Sequence, residues 1–234
     1  MRSMLKMPGI LIVMLLVVSG LLGGCEREQR DQRREPAIAS EPVYDGVIIA
    51  MGDSLTAGLG VAPEKSYPAL LESSLQAAGL NYRVINAGVS GETSSGARSR
   101  IDWIINSRPD LVIVETGAND GFRGISTQLL YDNLAAIIES LLANDIGVLL
   151  VGMQMVSNLG DDYRSAFNAV YPRLAEHYPV TFMPFFLEGV AMDRGLNQQD
   201  TIHPNEEGYR VIVENLLPYV HQALNLERQR DRPL

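Results

Sequence analysis

The sequence predicts an α/β fold built on a parallel sheet. Three observations carry that prediction. Five short apolar runs recur, at 47–51, 83–86, 111–115, 147–152 and 180–183. Two of them, Leu111-Val112-Ile113-Val114 and Val148-Leu149-Leu150-Val151, are continuous rather than alternating, which is the pattern of strands buried on both faces. Stretches of helical periodicity separate the runs, and alternating strands and helices form parallel sheets through right-handed crossovers.

The chain opens outside that pattern. Residues 1–24 read as a signal peptide, with Arg2 and Lys6 as the positive region and Ile10 to Val18 as an uncharged apolar region. The apolar region is shorter than the ~20 residues that span a bilayer. Leu22-Gly23-Gly24-Cys25 resembles the bacterial lipobox, and the chain's one cysteine falls there. On that reading Cys25 carries lipid, and the protein is expected in the cell envelope, membrane-anchored and facing the periplasm or exterior. The alternatives are an ordinary signal peptide or an uncleaved anchor. A single cysteine leaves no internal disulfide framework. Residues 25–42 hold eight charged side chains from Glu26 to Glu35 and almost nothing apolar. Such a segment buries too little surface to offset its ordering entropy and reads as a flexible tether, with a charged surface helix as the alternative.

Residues 43–226 have the length of one domain with a sizeable core. The helical patterns within it fall at 67–78, 94–106, 127–143, 161–177 and 206–225. In 127–143, Leu130, Leu134, Ile137, Ile138 and Leu141 form one stripe, and Ser126 stands where an N-cap belongs. Pro172 should kink or break 161–177, and Pro218 should interrupt the last helix. Residues 227–234 read as a disordered tail. The formal charge is −9, and cleavage after residue 24 removes two more cations. So acidic a chain is a poor partner for nucleic acid.

Ligands of open α/β sheets sit beyond the carboxyl ends of the strands. Ser54 follows the first apolar run, Asn86-Ala87-Gly88 the second, Gly117-Ala118-Asn119-Asp120 the third, and Asp200 and His203 lie in a loop after the fifth. A serine hydroxyl needs a base to become a nucleophile. Of the three histidines, His177 and His221 lie on helical patterns without an Asp three residues earlier and read as surface or packing residues. His203 is then the candidate base and Asp200 its orienter, as in a Ser-His-Asp triad. The backbone N–H groups of Ser54 and Gly88 and the side chain of Asn119 are candidate donors for an oxyanion. Taken singly, each residue also has a structural explanation as a turn, a cap or a surface pair.

Together, in this order, the segments resemble the SGNH hydrolases, or GDSL esterase/lipase family. Gly52-Asp53-Ser54-Leu55 resembles block I, and the segment from Asn86 to Thr93 resembles block II. Gly117-Ala118-Asn119-Asp120 resembles block III, and Asp200-Thr201-Ile202-His203-Pro204 resembles block V. The segments Glu115 to Gly124 and Tyr171 to Ala175 are similar to the arylesterase, acyl-CoA thioesterase I and lysophospholipase L1 branch. The G-x-S-x-G elbow is absent. The resemblance implies a flavodoxin-like three-layer α/β/α sandwich with a five-stranded parallel sheet. It implies a catalytic triad of Ser54, Asp200 and His203, and an oxyanion hole of Ser54, Gly88 and Asn119. It implies neither metal nor cofactor.

The expected activity is hydrolysis of aryl or acyl esters, thioesters or lysophospholipids by a monomer, through an acyl-Ser54 intermediate. Two alternatives stand beside it: a carbohydrate O-deacetylase of the same superfamily, and a non-catalytic lipid-tethered binding protein. Met153 and Met155 lie in a loop expected at a strand's carboxyl end. Flexible thioethers there suit an acyl groove, and suit core packing equally well.

Overall fold

The structure, a computed structural model, describes residues 43–155 and 159–230. The leader, Cys25 and the tether lie outside the described residues, as do residues 231–234 of the expected tail. The strands are β1 (Gly46–Gly52), β2 (Tyr82–Gly88), β3 (Leu111–Glu115), β4 (Gly147–Val151) and β5 (Thr181–Met183). They form one parallel sheet in the order β2-β1-β3-β4-β5. This is the parallel sheet that the apolar runs predict, in the flavodoxin-like order that the resemblance implies. The continuous runs explain it: Leu111, Val112, Ile113 and Val114 are all wholly buried, as are Leu149, Leu150 and Val151.

Strand order reverses at β1, which lies between β2 and β3. Such a reversal opens a crevice at the carboxyl edge. Register sets the height of that edge, because Gly52 pairs with Gly88 on one side and with Glu115 on the other.

Helices cover both faces. Helix α1 (Ser54–Ala57) follows β1 directly, and α2 (Tyr67–Ala77) packs on β2 and on α9 (Glu206–Arg230). The opposite layer holds α3 (Ser94–Ser99), α4 (Ile101–Asn106), α6 (Thr127–Leu142), α7 (Asp161–Asn168) and α8 (Val170–His177), gathered around α6. The short α5 (Ala118–Phe122) follows β3. The α6 stripe of Leu130, Leu134, Ile137, Ile138 and Leu141 is buried, as its periodicity requires.

Several helices depart from the sequence reading. Ser126 stands at the N-cap of α6, but its hydroxyl makes no capping bond. The segment 94–106 is two helices rather than one, parting at Arg100. The guanidinium of Arg100 is drawn to Glu92 at 2.6 Å and 2.8 Å. The break between α7 and α8 comes at Ala169. It lies one residue past Asn168, whose carbonyl the Pro172 ring would strike in a continuous helix. Pro218, by contrast, does not interrupt α9. Its flanking turns are held by Leu216 and Val220, both wholly buried. Helix α9 also continues past Leu226 to Arg230, through residues of good helix propensity. Among the described residues no helix is long and apolar enough to cross a membrane.

Candidate active site

The turn out of β1 displays Ser54. Asp53 caps α1: its Oδ1 accepts the N–H of Leu55 at 3.0 Å. The helix lasts a single turn, because Gly58 takes the left-handed conformation and donates back to Ser54 O. Ser54 is the first residue of this helix, so its own N–H has no intrahelical acceptor. Tyr209 of α9 donates to Leu55 O at 2.9 Å and ties the turn to the other end of the chain.

The loop before α9 brings His203 to Ser54. The Ser54 Oγ lies 2.8 Å from His203 Nε2, and His203 Nδ1 lies 2.6 Å from Asp200 Oδ2. With the proton on Nδ1, the imidazole donates to Asp200 and accepts from Ser54. The other carboxylate oxygen, Asp200 Oδ1, accepts the backbone N–H groups of Ile202 at 2.9 Å and His203 at 3.0 Å. These bonds, His203 N–H foremost, pull the Asp200 carboxyl down to about 2. Wrapping the chain around one carboxylate forces Thr201 to φ 61°, a genuine outlier for a β-branched residue. Gln198 braces the loop: its side-chain N–H donates to Leu59 O at 2.7 Å and to Pro204 O at 3.0 Å.

Asn119 enters from α5. Its amide donates to Asp53 Oδ2 at 3.0 Å, which leaves the second amide hydrogen for another acceptor. Asp53 is therefore a site residue that the sequence reading passed over, although an Asp directly before a short helix is an N-cap signal. Burial pushes its carboxyl up to about 6, against the opposing pull of the Leu55 and Asn119 donors. Asp120 was passed over as well. It accepts the N–H of Ser94 at 2.7 Å and its hydroxyl at 2.5 Å, which fastens the start of α3 to α5.

Gly88 has two features that the sequence does not show. Its N–H donates to Asn86 Oδ1 at 3.0 Å, so a neighbouring side chain already occupies this donor. A Cβ on Gly88 would also stand 2.2 Å from Ala57 N. The glycine therefore lets β2 approach α1 closely.

A cavity of about 340 Å³ opens at this edge, walled in part by Ser54, Asn119, Met153, Met155, Phe122 and His203. Asp200 stands behind His203 and, like Gly88, is not part of the cavity wall. Met153 and Met155 belong to the core and to the wall at once, at 5% and 7% exposure. His177 is exposed and packs edge-on against Tyr178, away from the cavity, and His221 lies on α9. Among the described residues no cluster of His, Cys, Asp and Glu is arranged to hold a metal ion.

Comparison with known proteins identifies the family. Residues 50–211 match the GDSL-like Lipase/Acylhydrolase family. Esterase TesA of Pseudomonas aeruginosa is 38% identical over 178 residues, which cover 76% of this chain and 89% of the relative. Thioesterase 1/protease 1/lysophospholipase L1 of Escherichia coli K12 is 33% identical over 179 residues, covering 76% of this chain and 85% of the relative. The crystal structure of TesA superposes with a TM-score of 0.73 at 37% identity, covering 76% of this chain and 99% of that one. The chain belongs to the GDSL-like lipase/acylhydrolase family and is a carboxylic ester hydrolase of the serine-esterase type.

Proposed function

We propose that the protein hydrolyses acyl esters and thioesters through an acyl-Ser54 intermediate, with His203 as base and Asp200 as its orienter. The observation that carries this reading is the unbroken line from Ser54 Oγ to His203 to Asp200, with contacts of 2.8 Å and 2.6 Å, at a largely apolar cavity. Ser54 Oγ bonds the carbonyl carbon as its proton passes to His203 Nε2. The carbonyl electron pair moves to oxygen, where Ser54 N–H and the Asn119 amide meet it, joined by Gly88 N–H once Asn86 yields. Collapse expels the alcohol or thiol, which takes the proton from His203. Water gives its proton to the same nitrogen and attacks the acyl carbon; collapse then breaks the bond to Ser54 Oγ, which takes that proton back from His203 as the acid leaves.

The acyl preference rests on the walls. Met153, Met155 and Phe122 offer a cavity apolar surface suited to a hydrocarbon chain, and one relative is named a thioesterase and lysophospholipase. Turnover of p-nitrophenyl esters of rising chain length tests both parts. Ser54→Ala should abolish turnover and fluorophosphonate labelling without unfolding the protein, and substantial residual turnover would refute the assignment. A sharp preference for acetate, with acetylated sugars outcompeting acyl esters, would replace the acyl reading with deacetylation.

The proposal extends to location. Leu22-Gly23-Gly24-Cys25, outside the described residues, supports lipid attachment at Cys25 in the cell envelope. Cys25→Ser should move the protein from the membrane fraction to the soluble fraction; unchanged fractionation would count against the anchor.

A further inference from the structure

Directly beneath the Ser54 turn lies a carboxyl group for which the acyl-transfer scheme has no use. Glu115 ends β3, opposite Gly52 in register, and is wholly buried. Its Oε2 accepts the Thr56 hydroxyl at 2.7 Å. The backbone N–H groups of Asp53 and Thr56 pull this carboxyl's pKa down, against the upward push of burial. One side chain from β3 therefore holds the turn by Thr56, two residues after Ser54. Gly52 makes the space: a Cβ there would stand 2.4 Å from Glu115 Oε2 and 2.1 Å from Thr56 Oγ1. The glycine of the Gly-Asp-Ser-Leu motif is thus explained by a residue more than sixty positions away.

We propose that Glu115 is a positioning residue for the acyl-transfer step, holding the Ser54 turn from beneath through Thr56 at the height that Asn119 and His203 require. This rests on Ser54 being the nucleophile. The surroundings also decide the form in which Glu115 works. Its Oε1 has no hydrogen-bond partner among the described residues, and none of the ion pairs found among them includes it. An unpaired neutral oxygen is far less costly in such a place than an unpaired charge. The ionisable groups that face it are Asp53 from the turn, Tyr67 from α2, Tyr171 from α8 and Tyr209 from α9. None is a cation. Burial first, and then the Asp53 carboxylate, push the Glu115 carboxyl well above its ordinary range. Of two adjacent buried acids, Glu115 keeps its proton. Asp53 is then free to carry the charge that holds Asn119.

Three variants test the proposal: Glu115→Ala, Glu115→Gln and Thr56→Val. Ser54-dependent turnover of the wild type is established first, since its absence would remove the acyl-transfer reading and not this inference alone. A nucleophile displaced by about 1 Å loses about 100-fold in rate, so Glu115→Ala should lower kcat 10- to 100-fold, to order of magnitude, with KM held within about 2-fold. Glu115→Gln copies a neutral acid and should recover kcat to within about 3-fold of wild type. Infrared spectra at neutral pH should show a protonated-carboxyl band in the wild type that is missing from Glu115→Gln. Full kcat in Glu115→Ala overturns the positioning role, and a Glu115→Gln as slow as Glu115→Ala overturns the neutral form. If Glu115→Ala does not fold, Thr56→Val decides: a kcat loss at constant KM supports the proposal, and unchanged kcat refutes it.

Discussion

Replacing Asp53 with Asn should change how stability depends on pH. In the native protein this carboxyl is 1% exposed and raised from 3.8 to about 6, chiefly by desolvation. The folded state therefore holds the proton more tightly than the unfolded chain does. Below pH 3.8 both states are protonated and the group costs nothing. Between pH 3.8 and about 6 the unfolded chain ionises first, and stability falls as pH rises. Above that window the full penalty applies. At ~1.4 kcal/mol per pH unit the interval amounts to about 3 kcal/mol, good to order of magnitude. Asn cannot ionise and escapes this penalty. Urea denaturation of wild type and Asp53→Asn at pH values from 4 to 7.5 measures the difference. Whatever constant offset comes from altered hydrogen bonds, the variant should gain about 3 kcal/mol on the wild type across that range. Over the same range its kcat should fall, because an amide cannot accept from both Leu55 and Asn119 in the present geometry. A stability difference that stays flat with pH, or that runs the other way, would refute the reasoning.

Two further outcomes follow from the site. Asn119→Ala should fold normally yet lose roughly 10²- to 10³-fold in kcat, the usual effect of removing one oxyanion donor; steady-state kinetics with circular dichroism as the folding control checks this. Thr201→Gly should relieve the strained φ of 61°, worth about 1–2 kcal/mol less the entropy of the added glycine. Its unfolding midpoint in urea should rise slightly while kcat falls, because the turn that holds Asp200 against His203 becomes looser. A lower midpoint would contradict this account. Asp200 itself, held down to about 2 by backbone donors, stays ionised well below neutral pH, and its orienting charge is lost only as the pH falls through that value.

How much of this was legible in the sequence depended on where each cause lies. The strands were legible because apolar runs such as Leu111 to Val114 are local and continuous. The break before α8 was legible because Pro172 acts within its own helix. The parting at Arg100 was not, since nothing in 94–106 demands it; its guanidinium is drawn to Glu92 and reaches toward Gly52 O at 3.4 Å. Pro218 misled in the opposite direction, because buried neighbours keep α9 continuous across it. Ser54, Asn119, Asp200 and His203 could be selected as residue types at strand ends, and the fold places Ser54, Asn119 and His203 in one cavity wall. Beyond the local N-cap signal of Asp53, what supports them could not be selected. Asp53, Asp120, Gln198 and Glu115 act through partners distant in the chain, and the reason for Gly88 lies in the backbone of α1. Such reasons arise only when segments meet.

The bond from Gly88 N–H to Asn86 bears on the difference between a substrate and its transition state. An idle donor would grip any carbonyl oxygen that arrived and deepen the ground state as much as the barrier's summit, and uniform binding of that kind brings no gain in turnover. A donor already held by a neutral amide oxygen at 3.0 Å sets a threshold. An ester carbonyl offers little more than Asn86 already does. An oxygen bearing a full negative charge offers a much stronger hydrogen bond. On the proposed assignment, Asn86 acts as a competitor that only the tetrahedral intermediate displaces. The site would then discriminate by charge as well as by shape.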